Sequence, residues 1–233
     1  MSPSATREPL DQNRVLNAAL ALADREGLKA VTMRRLGADL GVEAMSLYHH
    51  LPGKDGLLDG LVGAVVAEIQ AAVGQIDRAA AERDWRAVLR RRCLDARSVM
   101  LRHPWAPGLI GSRQTVPHGL YLVFEDALAT MVHGGLSYHL GHRALHSLGS
   151  MLLGYVSEVF SPGPMGEGLD PDAAEADFAA MAKAVPHLLA MVESEVHAHD
   201  DPNLGWCDSQ TEFEFTLDLL LDGLERVRTS EVR

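Results

Sequence analysis

Aromatic residues are scarce in this 233-residue chain: three Trp, four Tyr and five Phe make up 5% of it. Sandwiches and barrels lean on aromatic and β-branched side chains, so an all-β fold is disfavoured. Cysteine is scarcer still. Cys93 and Cys207 cannot build a disulfide framework or a four-thiolate zinc site, and so few thiols fit a reducing cytoplasm. Long hydrophobic runs are missing too. The uncharged stretch Leu61 to Ala67 falls far short of the roughly 20 apolar residues of a membrane span. The N-terminus, MSPSATREPLDQ, lacks the apolar core of a signal peptide, so no membrane partner is expected. Positive charge is in deficit: 21 Lys and Arg face 32 Asp and Glu, a formal net charge of −11. That excludes a diffuse basic surface for nucleic acid and leaves only a local patch. HExxH, GxSxG and a phosphate-cradling glycine loop are all absent, so neither an enzyme nor a cofactor is expected.

What is present is apolar and helical. Hydrophobic residues reach 47%, ample for a packed core. Their spacing follows a 3.6-residue period, which predicts an all-α fold. Asp11 reads as the N-cap of a first helix with Val15, Leu16, Ala19, Leu22 and Ala23 on one face, ended by Gly27. Thr32 caps a second, carrying Met33, Leu36 and Leu40 and stopped by Gly41. A very short third helix is expected from about 43 to 50, and a fourth from Lys54 after the Pro52-Gly53 break. Beyond it the stripe Trp85, Val88, Leu89, Arg92, Cys93, Ala96, Val99 and Met100 runs to His103-Pro104. Further helices are expected near 107–111, 117–133, 137–160 and 173–199, the last kinked at Pro186, with a Gly- and Pro-rich loop at 161–172 and a break at 201–208. A final helix, 210–228, is apolar nearly all round, as in a core or a subunit interface.

Charge divides the chain. Residues 1–60 hold seven Lys and Arg against eight Asp and Glu, while residues 61–233 hold 14 against 24. The division matches two expected domains, 1–56 and 57–233. Within the first, Gly37, Gly41 and Leu47 occupy the crossing, turn and anchor positions of a helix-turn-helix. A short exposed second helix fits a major groove about 12 Å wide, which points to DNA; an ordinary helical hairpin would share the spacing.

The stretch VTMRRLGADLGVEAMSLYHHLPGKDGLLDGLV (31–62) resembles the N-terminal domain of tetracycline repressor-like (TetR) transcriptional regulators. The matching residues are Thr32, Arg34, the Leu-Gly-Val turn at 40–42, Leu47-Tyr48, His50 and Lys54. The segments 84–104 and 215–227 look like the ligand and dimerisation domain of the tetracycline repressor branch. The resemblance implies a helix-turn-helix domain followed by an α-helical effector and dimerisation domain. It also implies a homodimeric repressor, released from a palindromic operator in double-stranded DNA by a small-molecule effector. DNA contacts would fall to Thr32, Arg34, Ala44, Met45, Ser46, Tyr48, His49, His50 and Lys54. Tyr48 and Lys54 would clamp phosphates; Ala44 and Met45 suit a thymine methyl, so direct readout would be thin in hydrogen bonds.

For the effector, the candidates are His103, Trp105, Leu109, His118, Met131, His146, Met151, Tyr155 and Glu158. Members of the tetracycline repressor branch hold a metal–drug chelate with a His ahead of a turn resembling Gly111-Ser112-Arg113. Leu109 stands there instead, which implies a more apolar effector. Leu148, Leu152, Leu217, Leu220, Leu221 and Leu224 are expected at the dimer interface. His139, His142 and His146 share a helical face and could hold a zinc-like cation, which keeps an all-helical metal-dependent enzyme as the alternative. No carboxylate falls at a matching register, so a solvated or pocket-lining face is expected and no metal is assigned.

Overall fold

The computed structural model of the protein describes residues 10–113, 115–155, 183–188, 190–191 and 209–231. Among these, all regular structure is helical: α1 (Gln12–Glu26), α2 (Met33–Leu40), α3 (Ala44–Leu47), α4 (Gly53–Val73), α5 (Arg78–Arg102), α6 (Ala106–Ser112), α7 (His118–His133), α8 (Tyr138–Gly154) and α9 (Ser209–Glu231), with a 3-10 turn at Leu28–Ala30.

Polar side chains set where the helices begin. Asp11 accepts the Arg14 N–H at 2.7 Å, Thr32 that of Arg35 at 3.2 Å, Asp77 that of Ala80 at 3.0 Å and Ser137 that of Leu140 at 3.2 Å. Each pairs a backbone donor that the first helical turn leaves without a partner. Inside α5 the backbone leaves helical geometry at Asp84, whose carboxylate then caps Ala87 at 3.0 Å. The apolar stripe from Trp85 onward is thus a second helical segment, re-started by its own cap.

α4 links two apolar clusters. Leu57, Leu61, Val62 and Val66 pack with Val15, Leu22, Leu36 and Leu47 of the first three helices. Val65 and Ile69 pack instead with Ala96, Val99 and Met100 of α5 and Ala106 of α6. At 21 residues α4 is long and apolar enough to cross a membrane, which the short uncharged run within it did not suggest. Its six buried side chains and its packing into both clusters are those of a core helix.

The fold divides into two compact units, residues 1–156 with 217–233, and residues 157–216. In the second, helical geometry lapses at Val185, directly before Pro186. The proline ring crowds the preceding backbone, which is why the interruption falls there. The expected 161–172 loop, the 201–208 break, most of the 173–199 helix and the end of the 137–160 helix lie outside the described residues. In the first unit α9 is tied to α5 by Arg90–Asp218 at 2.8 Å, by Arg86–Asp222, and by the Trp85 indole N–H donating to Glu225 at 3.3 Å.

Candidate functional site

The turn between α2 and α3 is built on two glycines. Gly41 sits in the left-handed region at φ 66°, and the Val42 N–H closes back on the Gly37 carbonyl at 2.9 Å. A Cβ on Gly37 would lie 2.9 Å from the Val42 carbonyl oxygen and 3.1 Å from the Ala44 nitrogen. Only glycine lets the helices cross this closely. α3 is shorter than expected, Ala44–Leu47, but turns continue: His50 and Leu51 both donate to the Leu47 carbonyl at 3.0 Å.

One side of α3 anchors it. Leu47 is fully buried and Leu51 nearly so. The other side is open: Met45 is 72% exposed and Tyr48 48%. Apolar side chains this exposed are displayed rather than packed. Arg34, His49 and Lys54 are exposed, Ala44, Ser46 and His50 half-buried, and Thr32 is the α2 cap described above. The nine side chains expected at DNA therefore fall on consecutive elements, Thr32 and Arg34 on α2, the α3 turn, and Lys54 in the first turn of α4. Arg34 and Lys54 make no ion pair among the described residues. The neighbouring Arg35 is engaged, bonding Glu26 at 2.7 Å and Asp39 at 3.0 Å.

The residues expected at an effector do not gather in one place. His103 is almost fully buried, with its Nδ1 2.8 Å from Asp24 of α1 and its Nε2 3.3 Å from Glu68 of α4. Trp105 donates to the same Asp24 oxygen at 2.7 Å. Leu109 is buried in the cluster shared by α1–α4. These three side chains serve the junction of α1, α4 and α6. His118 is exposed in the first turn of α7, Met131 and Met151 are buried, and Tyr155 is half-buried, its carbonyl accepting from Arg97 at 2.7 Å. Glu158 lies outside the described residues.

The expected interface leucines also divide. Leu148, Leu217 and Leu221 are buried within the protomer, while Leu152, Leu220 and Leu224 are half-buried. α9 is not covered all round. Phe215, Leu219 and Val227 are exposed, so its apolar residues serve two flanks. His139, His142 and His146 lie on the exposed side of α8, the rings of His142 and His146 edge to face at 4.7 Å. Among the described residues no group of three His, Cys, Asp or Glu is placed to hold a metal.

The partners of His103 were missed in the sequence. Glu68 did carry a signal: it is the one charge between Leu61 and Val73. Burial alone would push its carboxyl up. Its bonds to Arg102 and His103 outweigh that and hold it below the ordinary glutamate value.

Residues 15–61 match the profile of bacterial regulatory proteins of the tetR family, and residues 79–228 match that of the tetracyclin repressor-like C-terminal domain. The HTH-type transcriptional repressor DrrR1 of Streptomyces coeruleorubidus is 39% identical over 106 residues, 44% of this chain and 37% of the relative. The tetracycline repressor protein class D of Escherichia coli is 31% identical over 150 residues, 64% of this chain and 66% of the relative. The matches thus span less than two thirds of either relative. The crystal structure of the Streptomyces coelicolor TetR family protein ActR in complex with actinorhodin superposes with a TM-score of 0.69 at 25% identity, covering 94% of this chain and 99% of that one. Since the C-terminal profile alone spans well over half of its length, the chain belongs to the tetracycline repressor-like (TetR) family.

Proposed function

We propose that the protein is a homodimeric transcriptional repressor that binds a pseudo-palindromic operator through α3 and releases it when a small molecule binds the helical body. The observation that carries this is the division of α3. Leu47 is buried to the last atom while Met45 and Tyr48 project from the same turn into solvent. A hairpin built only to pack would not hold a short helix rigid in order to display its apolar side chains. Met45 and Ala44 suit a thymine methyl, and Tyr48, Lys54 and Arg34 suit phosphate oxygens. The names of the relatives support repression, and the ActR complex supports a small-molecule effector.

The functional division we propose is a DNA-binding head, 1–56, and an effector and dimer domain, 57–233, with α4 crossing the boundary. The proposed effector contacts are Met131, Met151 and Tyr155, because His103 and Leu109 have partners that a ligand would have to displace. With Leu109 in α6 instead of an imidazole, a largely apolar effector is favoured. Dimerisation is assigned to the exposed flanks of α8 and α9, around Tyr138 and Leu219, rather than to the buried Leu148, Leu217 and Leu221. The cytoplasm is the expected compartment.

The test is a gel shift of the full chain on the promoter DNA beside its own gene. A Tyr48→Ala, Lys54→Ala double variant is expected to lose binding at least tenfold with its fold intact by circular dichroism. Affinity should fall with salt at about −0.9 in log–log slope per neutralised phosphate. Unchanged binding in the double variant, or a flat salt response, rejects the assignment.

A further inference from the structure

The junction between α1 and the body is polar where the rest of it is apolar. His103 ends α5 and is 4% exposed. Its two ring nitrogens face two carboxylates on different helices, Asp24 of α1 and Glu68 of α4. Among the described residues, the other charged group bonded to this cluster is Arg102, next to the histidine in sequence, which reaches the same Glu68 oxygen at 2.9 Å. Trp105 at the start of α6 holds the Asp24 oxygen from the far side at 2.7 Å.

The chemistry of this arrangement is restrictive. An ionised carboxylate only accepts hydrogen bonds, and a neutral imidazole carries one N–H. A neutral ring can therefore satisfy Asp24 or Glu68, and its remaining lone pair then faces the other carboxylate. Both bonds are made together only by the ring protonated on both nitrogens. Asp24 lies in the last turns of α1, the helix against which α2 and α3 pack, so whatever holds Asp24 sets the pose of the head.

We propose that His103 is the positioning residue of the head: acting through Asp24, it bridges α1 to α4 only while its ring carries both protons, so the pose of the DNA-binding helices is proton-dependent. The consequence for DNA rests on the DNA-binding reading above; the joint itself does not. Loss of one ring proton removes one charge-assisted bond and places a lone pair against Asp24 or Glu68, so the histidine no longer links α1 to α4 whichever nitrogen keeps its proton. The coupled proton is the device: conditions or ligands that change it change how firmly the head is held.

The experiment is amide hydrogen exchange of the full chain between pH 5.5 and 8.5, corrected for intrinsic rates, comparing α1 with α5. Protection of α1 is expected to drop by about tenfold as pH rises across this range, the worth of one charge-assisted hydrogen bond, while α5 stays level. The step is expected to vanish in His103→Gln. It should also shrink in Asp24→Asn, which keeps the side-chain shape and can itself donate to an unprotonated Nδ1; this variant keeps the test decisive if His103→Gln folds poorly. No step in the wild type, or a step unchanged in both variants, overturns the joint. Binding to a randomised duplex, followed over the same pH range, separates the two readings. Affinity that stays level while α1 loosens overturns the positioning role, and no salt-dependent binding at any pH rejects the DNA reading while leaving the joint standing.

Discussion

In the head, Arg35 is spent on Glu26 and Asp39 while Arg34 and Lys54 stand exposed without an ion pair among the described residues. In the body the arginines are matched differently. α5 alone carries eight of them, and Arg86, Arg90 and Arg92 each reach a carboxylate on another helix, Asp222, Asp218 and Asp126. Arg92 also donates to the Val73 and Gly74 carbonyls at 3.3 Å, satisfying the end of α4. The acidity of the body is therefore in part counter-charge for its own arginines, placed where helices meet. Beside the displayed α3, Arg34 and Lys54 of the near-neutral head make no ion pair among the described residues. A net charge says how many groups are left over. It does not say which of them are engaged, and only the unengaged ones can meet a phosphate.

Within the head, buried and displayed side chains of α3 should respond to truncation in opposite ways. Leu47→Ala should cost about 2–5 kcal/mol in chemical denaturation, since it empties a fully buried site in the shared cluster. Met45→Ala, two residues away on the same turn, should stay within about 0.5 kcal/mol, as surface substitutions do. If Met45→Ala proved as destabilising as Leu47→Ala, α3 would be a packing element and its exposed side would need another explanation.

A smaller effect separates free from engaged arginine. Arg34→Ala should lower the salt dependence of DNA binding by about 0.9 in slope, one phosphate's worth, and leave the melting curve in place. Arg90→Ala should do the reverse. Its partner Asp218 is half in solvent, so the loss is at most about 1 kcal/mol of stability, with DNA binding unmoved. An Arg90 variant that altered the salt slope would erase the distinction between the two regions.

How legible was all this in the sequence? The caps at Asp11 and Thr32, the glycines of the α2–α3 turn and the anchor Leu47 were readable because each is a local rule acting within a few residues. The interruption before Pro186 is of the same kind. The role of His103 was not readable. Its partners lie 79 and 35 positions away, and spacing cannot pair them. The orientation of α9 was hidden for a different reason. Leu217 and Leu221 form one apolar flank and Phe215 and Leu219 another, and a helix that is apolar nearly all round does not say which flank its own core takes. Periodicity names a buried face only when the opposite face is polar. α8, with Leu140, Ala144 and Leu148 buried beneath His139, His142 and His146, shows the readable case.

The smallest expected effect concerns the carboxylates that serve the body. The Glu225 carboxyl is held below its ordinary value chiefly by its bonds to Arg228, the shortest 2.6 Å, against burial that pushes it up, with the Trp85 indole adding to the lowering. A group that is more acidic folded than unfolded stabilises the fold at pH values above its unfolded pKa, near 4.3 for glutamate, and loses that contribution as pH falls through the folded value. The stabilisation is therefore complete at neutral pH and vanishes only on the acid side. Glu225→Gln should lower stability by less than about 1 kcal/mol at pH 7, the range of an ion pair between neighbouring turns of one helix. It should also flatten the acid limb of the stability curve below about pH 4.5. Denaturation midpoints of wild type and variant, taken from pH 3 to 7, should converge at the acid end. Midpoints that stay equally far apart at every pH would mean that the Glu225 side chain acts by packing against α5, and that its charge pairing with Arg228 along α9 carries no stability of its own.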